Sequence, residues 1–199
     1  MVAEVGFLPP ARAVFLTGFM GTGKSTTGAR LAERLGMTFV DTDAIVCQLA
    51  GKTIPAIFDE DGEERFRALE TEALGRAIEL GPAIIATGGG AMLRPGNVEM
   101  MRVAGPIVCL QASPETILRR TARRSDRPLL QTDDQMGRIT AMLAERSTCY
   151  AQADHQVPTD GPDREATLRR LVGLLAEDRR TALLVSSRAR VTVQADKST

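Results

Sequence analysis

The sequence predicts an α/β protein: a five-stranded parallel sheet flanked by helices on both faces, a three-layer sandwich. Three observations carry this expectation. Short apolar runs alternate with longer segments of helical period, the βαβ signature of a mainly parallel sheet. Five such runs can be counted, and a glycine-rich stretch joins the first of them directly to the first helical segment. With 199 residues the chain is long enough for one domain with a substantial core.

The predicted strands lie at about 13–17 ("AVFLT"), 38–41 ("TFVD"), 83–87 ("AIIAT"), 106–110 ("PIVCL") and 154–158 ("DHQVP"). The first helix is expected from Lys24 to Leu35, where Gly36 supplies the residue best able to end it. "DAIVCQLAG" is a second helical segment ending at a glycine. From Thr53 a short helix, a turn near Gly62 and a longer helix are expected, with Phe66, Leu69, Ala73 and Ala77 sharing one face of the longer one. Ser113-Pro114 is a helix start, Ser as N-cap and Pro in the first turn. "QMGRITAMLAERSTCY" and "DREATLRRLVGLLAE" supply the last two helices. The domain is expected over 13–178, after an N-terminal extension at 1–12 and before a poorly ordered tail at 179–199.

Composition narrows the class. The chain is 43% hydrophobic and 25% charged with a formal net charge of +0, which gives no general attraction to nucleic acid or to an anionic membrane. No apolar run approaches the roughly 20 residues of a membrane span, and the first residues lack the pattern of a secretory signal. Three widely spaced cysteines match no metal or redox spacing. A cytoplasmic protein is expected.

The stretch "GFMGTGKSTT" (18–27) fits the pattern G-x-x-x-x-G-K-[ST] through Gly18, Gly23, Lys24 and Ser25. Glycines let a loop wrap a polyphosphate with its N–H groups turned inward, and the helix beginning at Lys24 places its positive end beneath the anion. Lys24 is the cation for the β- and γ-phosphates, and the Ser25 hydroxyl is a ligand for Mg²⁺. Gly21, Thr22, Gly23 and Thr26 complete the nucleotide-binding set, with ATP expected. A GTPase would carry N-K-x-D after a late strand and a transporter ATPase an "LSGGQ"-like segment; neither is present. "DEDG" (59–62) imitates a GTPase switch but falls between two helical patterns. A small-molecule kinase of the nucleoside-monophosphate-kinase type within the P-loop NTPases fits best.

"VDTD" (40–43) ends the second strand, where ligands of open α/β sheets gather. Asp41 and Asp43 there can serve Mg²⁺ and an acceptor hydroxyl, or be a turn residue and a helix N-cap (Asp43). "TGGG" (87–90) either lets the backbone approach a ligand or makes a flexible turn. "RRTARRSDR" (119–127) reads as a solvated helix face, yet Pro128 moves Arg127 to the mouth of a loop. Mobile cations there could close over a transferring phosphoryl group, as a lid at about 119–133.

Together "GFMGTGKST", "DTD", "IPAIFDEDGEERFRALE", "ATGGGA", "RRTARRSDRPLL" and "RSTCY" resemble the shikimate kinases over roughly residues 13 to 175. The resemblance implies transfer of the ATP γ-phosphate to the 3-hydroxyl of shikimate in aromatic amino-acid biosynthesis, by a monomer using Mg²⁺. It implies that Arg67 and Arg146 grip the shikimate carboxylate, with Glu70 orienting Arg67 from one turn away. Asp43 would hold the reacting hydroxyls and act as base, and Gly88, Gly89 and Gly90 would line the pocket. Ser25 and Asp41 match the magnesium side; Arg120 and Arg127 match nucleotide and lid arginines, and Arg164 an adenine contact. Thr148 stands where the family often has proline. His155, Cys149, Glu63 and Glu64 read as non-catalytic, the two glutamates as a solvated first turn. The rivals are a gluconate-type sugar-acid kinase and a non-catalytic effector sensor. "FRALE" and "RRTARRSDRPLL" speak against the first. About twelve residues before the first strand are too few for the helix-turn-helix that the second requires.

Overall fold

The structure, a computed structural model, describes residues 11–122 and 134–182. Its sheet consists of β1 (Ala13–Thr17), β2 (Thr38–Asp41), β3 (Ala83–Ala86), β4 (Ile107–Gln111) and β5 (His155–Pro158), in the order β2-β3-β1-β4-β5. Every pair is parallel. β1 is therefore central, buried at all five residues, and its side chains alternate between two cores. Val14 and Leu16 face α1 (Lys24–Leu35) and α8 (Arg164–Glu177) through Leu31, Leu35, Leu168, Leu171 and Leu175. Ala13 and Phe15 face the opposite layer, built on α4 (Gly62–Glu79), α5 (Pro95–Ala104), α6 (Pro114–Thr121) and α7 (Gln135–Tyr150). A third cluster, Val46, Ile57, Phe66, Leu69 and Ala73, joins α2 (Thr42–Ala50) and α3 (Ile54–Glu60) to α4. Burying each large apolar side chain contributes about 2 kcal/mol, so the crossovers hold the strand ends in place.

Helix limits follow local chemistry. Gly36 ends α1 at φ 58°, giving its N–H to the carbonyls of Ala32 and Glu33. The Thr53 hydroxyl caps α3 through Ala56 N, and the Ser113 hydroxyl caps α6 through Thr116 N. β3 stops at Ala86, one residue short of expectation, and β4 runs one residue later. The helix α5 has no clear signal in the sequence, because "RPGN" has the composition of a turn. Pro95 and Gly96 instead occupy its first turn, while Val98, Met101 and Ala104 pack on the core at steps of three. "DEDG" lies at the α3–α4 junction. The lid expected at about 119–133 is described only to Ala122.

Residues 179–182 of the expected tail are described and pack beyond α8, while residues 183–199 lie outside the described residues. Ala11 N donates to Arg180 O (2.9 Å), and the buried Thr181 hydroxyl donates to Leu175 O (2.6 Å). The Arg180 guanidinium bridges Asp178 (2.8 Å) and Asp154 (3.2 Å), and Asp154 accepts from Ile107 N (2.7 Å). His155 sits at the start of β5, its Nε2 3.7 Å from Asp178, away from the strand ends that build the site.

Burial alone would raise the Asp178 carboxyl, but the bonds from Arg180 outweigh it and hold the group below its ordinary 3.8. Native Asp178 therefore binds its proton less readily than the unfolded chain does. Its contribution to stability is present above 3.8 and is lost as pH falls through the lower folded value. Asp178→Asn should cost about 2 kcal/mol near neutral pH. In urea unfolding, the gap to the parent protein should narrow once the pH drops below 3.8.

Candidate active site

The C-terminal ends of the strands open into one cleft of about 360 Å³. The loop from β1 to α1 forms its floor. Gly18 adopts φ 127°, and a Cβ there would run into the Leu110 carbonyl of β4; Gly23 takes φ 93° as the N-cap of α1. No other residue type suits both positions. Lys24 Nζ donates to the carbonyls of Gly18 (2.8 Å) and Phe19 (3.0 Å), which keeps the ammonium over the loop. The Ser25 hydroxyl donates to Asp41 Oδ2 (2.7 Å), and Asp41 Oδ1 accepts from Asp43 N (3.1 Å). The N-cap of α2 is thus Asp41; Asp43, for which a cap was the alternative to a role toward an acceptor hydroxyl, lies in the first turn. This Ser–Asp pair offers hard oxygen donors, a fit for Mg²⁺, which binds through one or two protein oxygens and completes its shell with water and phosphate. Among the described residues no cluster of three or more His, Cys, Asp or Glu could hold a metal by itself.

On the opposite wall, the buried Thr42 hydroxyl accepts from Gly88 N (3.1 Å), tying the turn after β2 to the loop after β3. Gly88 and Gly90 lack side chains for a spatial reason: a Cβ at Gly88 would overlap Glu70 Oε1, and one at Gly90 would overlap Arg67 Nη1. Arg67, 8% exposed, donates to Glu70 Oε2 (2.9 Å) and through Nη2 to Glu63 Oε1 (2.9 Å). Arg146 Nη1 donates to Gly89 O (3.4 Å), and the Tyr150 hydroxyl donates to the same carbonyl (2.7 Å). Each guanidinium stacks on a ring, Arg67 on Phe66 at 5.1 Å and Arg146 on Phe19 at 5.5 Å. Ile54, Phe58 and Phe66 add an apolar wall.

Burial pushes the Glu70 carboxyl up, Arg67 and Arg146 pull it down, and nearby Asp43 pushes it up again; the net shift is upward. For Arg67, burial would lower the proton affinity, but Glu70 and Glu63 outweigh it and raise it. Burial raises Tyr150 to about 12 and the Cys109 thiol to about 11, so Tyr150 stays a donor and Cys109 an inert thiol.

Arg120 also lines the cleft, with its guanidinium bound to Gly21 O (3.2 Å), the Thr159 hydroxyl (3.2 Å) and Thr159 O (2.6 Å). Arg164, the first residue of α8, stands exposed at the cleft edge. The structure thus gathers Gly21, Thr22, Gly23, Lys24, Ser25, Thr26, Asp41, Asp43, Arg67, Gly88, Gly89, Gly90, Arg120, Arg146 and Arg164 around one cavity. Arg127 lies outside the described residues. Glu63 stays largely exposed as expected, yet it also holds Arg67, which its spacing of four residues from Arg67 could have indicated. Thr42, Tyr150 and Thr159 carry no such signal, because their partners are 46, 61 and 137 residues away.

The model of one protein family, shikimate kinase, matches residues 20–176. A shikimate kinase of Geobacter metallireducens is 44% identical over 164 residues, covering 82% of this chain and 92% of its own. One of Deinococcus radiodurans is 42% identical over 163 residues, covering 82% and 83%. Among solved structures, shikimate kinase from Acinetobacter baumannii in complex with shikimate superposes with a TM-score of 0.81 at 33% identity, covering 85% of this chain and 95% of that one.

Because Arg67 and Glu70 are buried together, removing one carboxylate leaves a charge without its partner. Glu70→Ala should destabilise the fold by about 3 kcal/mol in denaturant titration. Glu70→Gln, which retains an acceptor for Arg67, should lose less.

Proposed function

The chain belongs to the shikimate kinase family, and we propose that it transfers the γ-phosphate of ATP to the 3-hydroxyl of shikimate, giving 3-phosphoshikimate and ADP. One observation carries this reading. Two ring-stacked guanidiniums and Asp43 surround a side-chain-free glycine loop, in the same cleft as a complete phosphate-binding loop. Planar guanidinium forks match a carboxylate through paired hydrogen bonds, so Arg67 and Arg146 take the acid group of the acceptor. Ile54, Phe58 and Phe66 cover its carbon ring. Asp43 accepts from the acceptor hydroxyls, orients the reacting one and takes its proton as the phosphoryl group leaves. Gly88, Gly89 and Gly90 let the ring approach the backbone.

The nucleotide lies over Gly21, Thr22, Gly23, Ser25 and Thr26, with the N-terminus of α1 beneath its phosphates. Lys24 moves from the loop carbonyls to the β- and γ-phosphates and follows the charge onto the leaving oxygen. Ser25 and Asp41 would hold Mg²⁺, which when bound neutralises charge on the phosphates. Arg120 and Arg164 flank the nucleotide, and Arg127 is assigned to the lid that closes over the phosphates and excludes water. Most of the rate then comes from positioning and charge neutralisation, since phosphoryl transfer needs little covalent work from the protein. A cytoplasmic monomer, with no nucleic-acid or membrane partner, belongs to the same proposal. Among the described residues no helix is long and apolar enough to cross a membrane. Neither a gluconate-type kinase nor an effector sensor is favoured by the relatives, which are named as shikimate kinases.

ADP release in a coupled assay, with and without shikimate, tests the reaction. Lys24→Ala should lower kcat about a thousandfold. Arg67→Ala should raise the shikimate KM about a hundredfold, as lost charge-assisted bonds require, while the ATP KM changes less than about twofold. An unchanged shikimate KM in Arg67→Ala would sink the carboxylate assignment.

A further inference from the structure

Thr159 follows β5 and is 7% exposed, and its hydroxyl meets three separate elements of the fold. It lies 3.0 Å from Thr22 O in the phosphate-binding loop, 2.9 Å from Gln111 O at the end of β4, and 3.2 Å from Arg120 Nη1. Its backbone is fixed independently, through Thr159 N to Gln111 O (2.8 Å) and Arg120 Nη2 to Thr159 O (2.6 Å). The same Arg120 reaches Gly21 O (3.2 Å), so hydroxyl and guanidinium together hold two consecutive carbonyls of the phosphate loop. The segment that begins at Thr159 continues through Gly161 to Arg164 and Thr167, all lining the cleft.

We propose that the Thr159 hydroxyl is a positioning group that locks the phosphate-binding loop to the 159–167 wall of the cleft and so sets nucleotide affinity. A carbonyl held from outside the loop turns its peptide plane, and with it the adjoining N–H, toward the phosphates. Within the loop the Thr22 hydroxyl bonds back to Phe19 O (2.8 Å), not to its own carbonyl. The acceptor end rests on different bonds, those from Thr42, Arg67, Arg146 and Tyr150. Loss of the Thr159 hydroxyl therefore acts on one substrate only. This inference rests on the reading that the cleft takes a nucleoside triphosphate at the phosphate loop.

The test compares Thr159→Val, which keeps shape and backbone bonds but removes the hydroxyl, with Thr159→Ser, which restores it. ADP affinity by calorimetry should fall about tenfold in Thr159→Val and return to within twofold of the parent in Thr159→Ser. The ATP KM should follow, with the shikimate KM unchanged. If Thr159→Val does not fold, Thr159→Ala takes its place in the same comparison. Parental ADP affinity without the hydroxyl, affinity in Thr159→Ser as poor as in Thr159→Val, or an equal rise in both KM values would each overturn the proposal. Failure of the parent protein to phosphorylate shikimate would instead refute the proposed reaction, while the ADP comparison would still decide the role of Thr159.

Discussion

Every functional group described above depends on one constraint, the parallel direction of all five strands. Parallel strands joined by helical crossovers end on the same edge of the sheet, so each can contribute its last residue, or the next, to one space. β1 ends in the phosphate loop, β2 in Asp41 and Asp43, and β3 in the three glycines. β4 ends at Gln111 and β5 at Pro158, and the next residue, Thr159, meets Gln111 through backbone and hydroxyl. A central strand buried on both faces keeps these ends in register, because sliding β1 by one residue would move Phe15 and Leu16 each into the core packed for the other. The site is a consequence of topology before it is a matter of individual side chains.

Within that frame the acceptor wall is held ready by charge. Placing Arg67 in a nearly closed environment is unfavourable unless its donors are satisfied, and Glu70, 1% exposed, satisfies them from the inside. Glu63 completes the shell from the solvent side. The pair occupies the space that side chains at positions 88 and 90 would need, which links the glycine loop to the ion pair in a single steric argument. Arg146 is set by Phe19 and by the Gly89 carbonyl that it shares with Tyr150. Guanidiniums held in this way lose little further freedom on meeting an anion, and low solvent access strengthens the meeting.

Local patterns were legible, and contacts across the chain were not. The phosphate loop, β1, β2, α1 and α7 follow from glycine positions, apolar runs and helical period, and their limits agree with the structure. The helix α5 was hidden because proline and glycine mark both turns and first turns, and only the packing of Val98 and Met101 decides between them. Which aspartate caps α2 was open in the sequence because both spacings suit a cap; Asp41 does so, and the Ser25 hydroxyl, 16 residues away, engages it. Thr42 and Thr159 look like ordinary polar residues in the sequence. Their significance comes from burial next to carbonyls and N–H groups that the fold delivers from elsewhere.

The central claim is geometric: the acid group of shikimate lies between Arg67 and Arg146, with its reacting hydroxyl at Asp43, in line with the γ-phosphate above Lys24. A crystal structure of the protein with shikimate and a non-hydrolysable ATP analogue tests it most directly. The expected result places the carboxylate within hydrogen-bond reach of both guanidiniums and the 3-hydroxyl between Asp43 and the terminal phosphate. A carboxylate lodged away from Arg67 and Arg146, or a ring with its 3-hydroxyl turned from the phosphate, would contradict it.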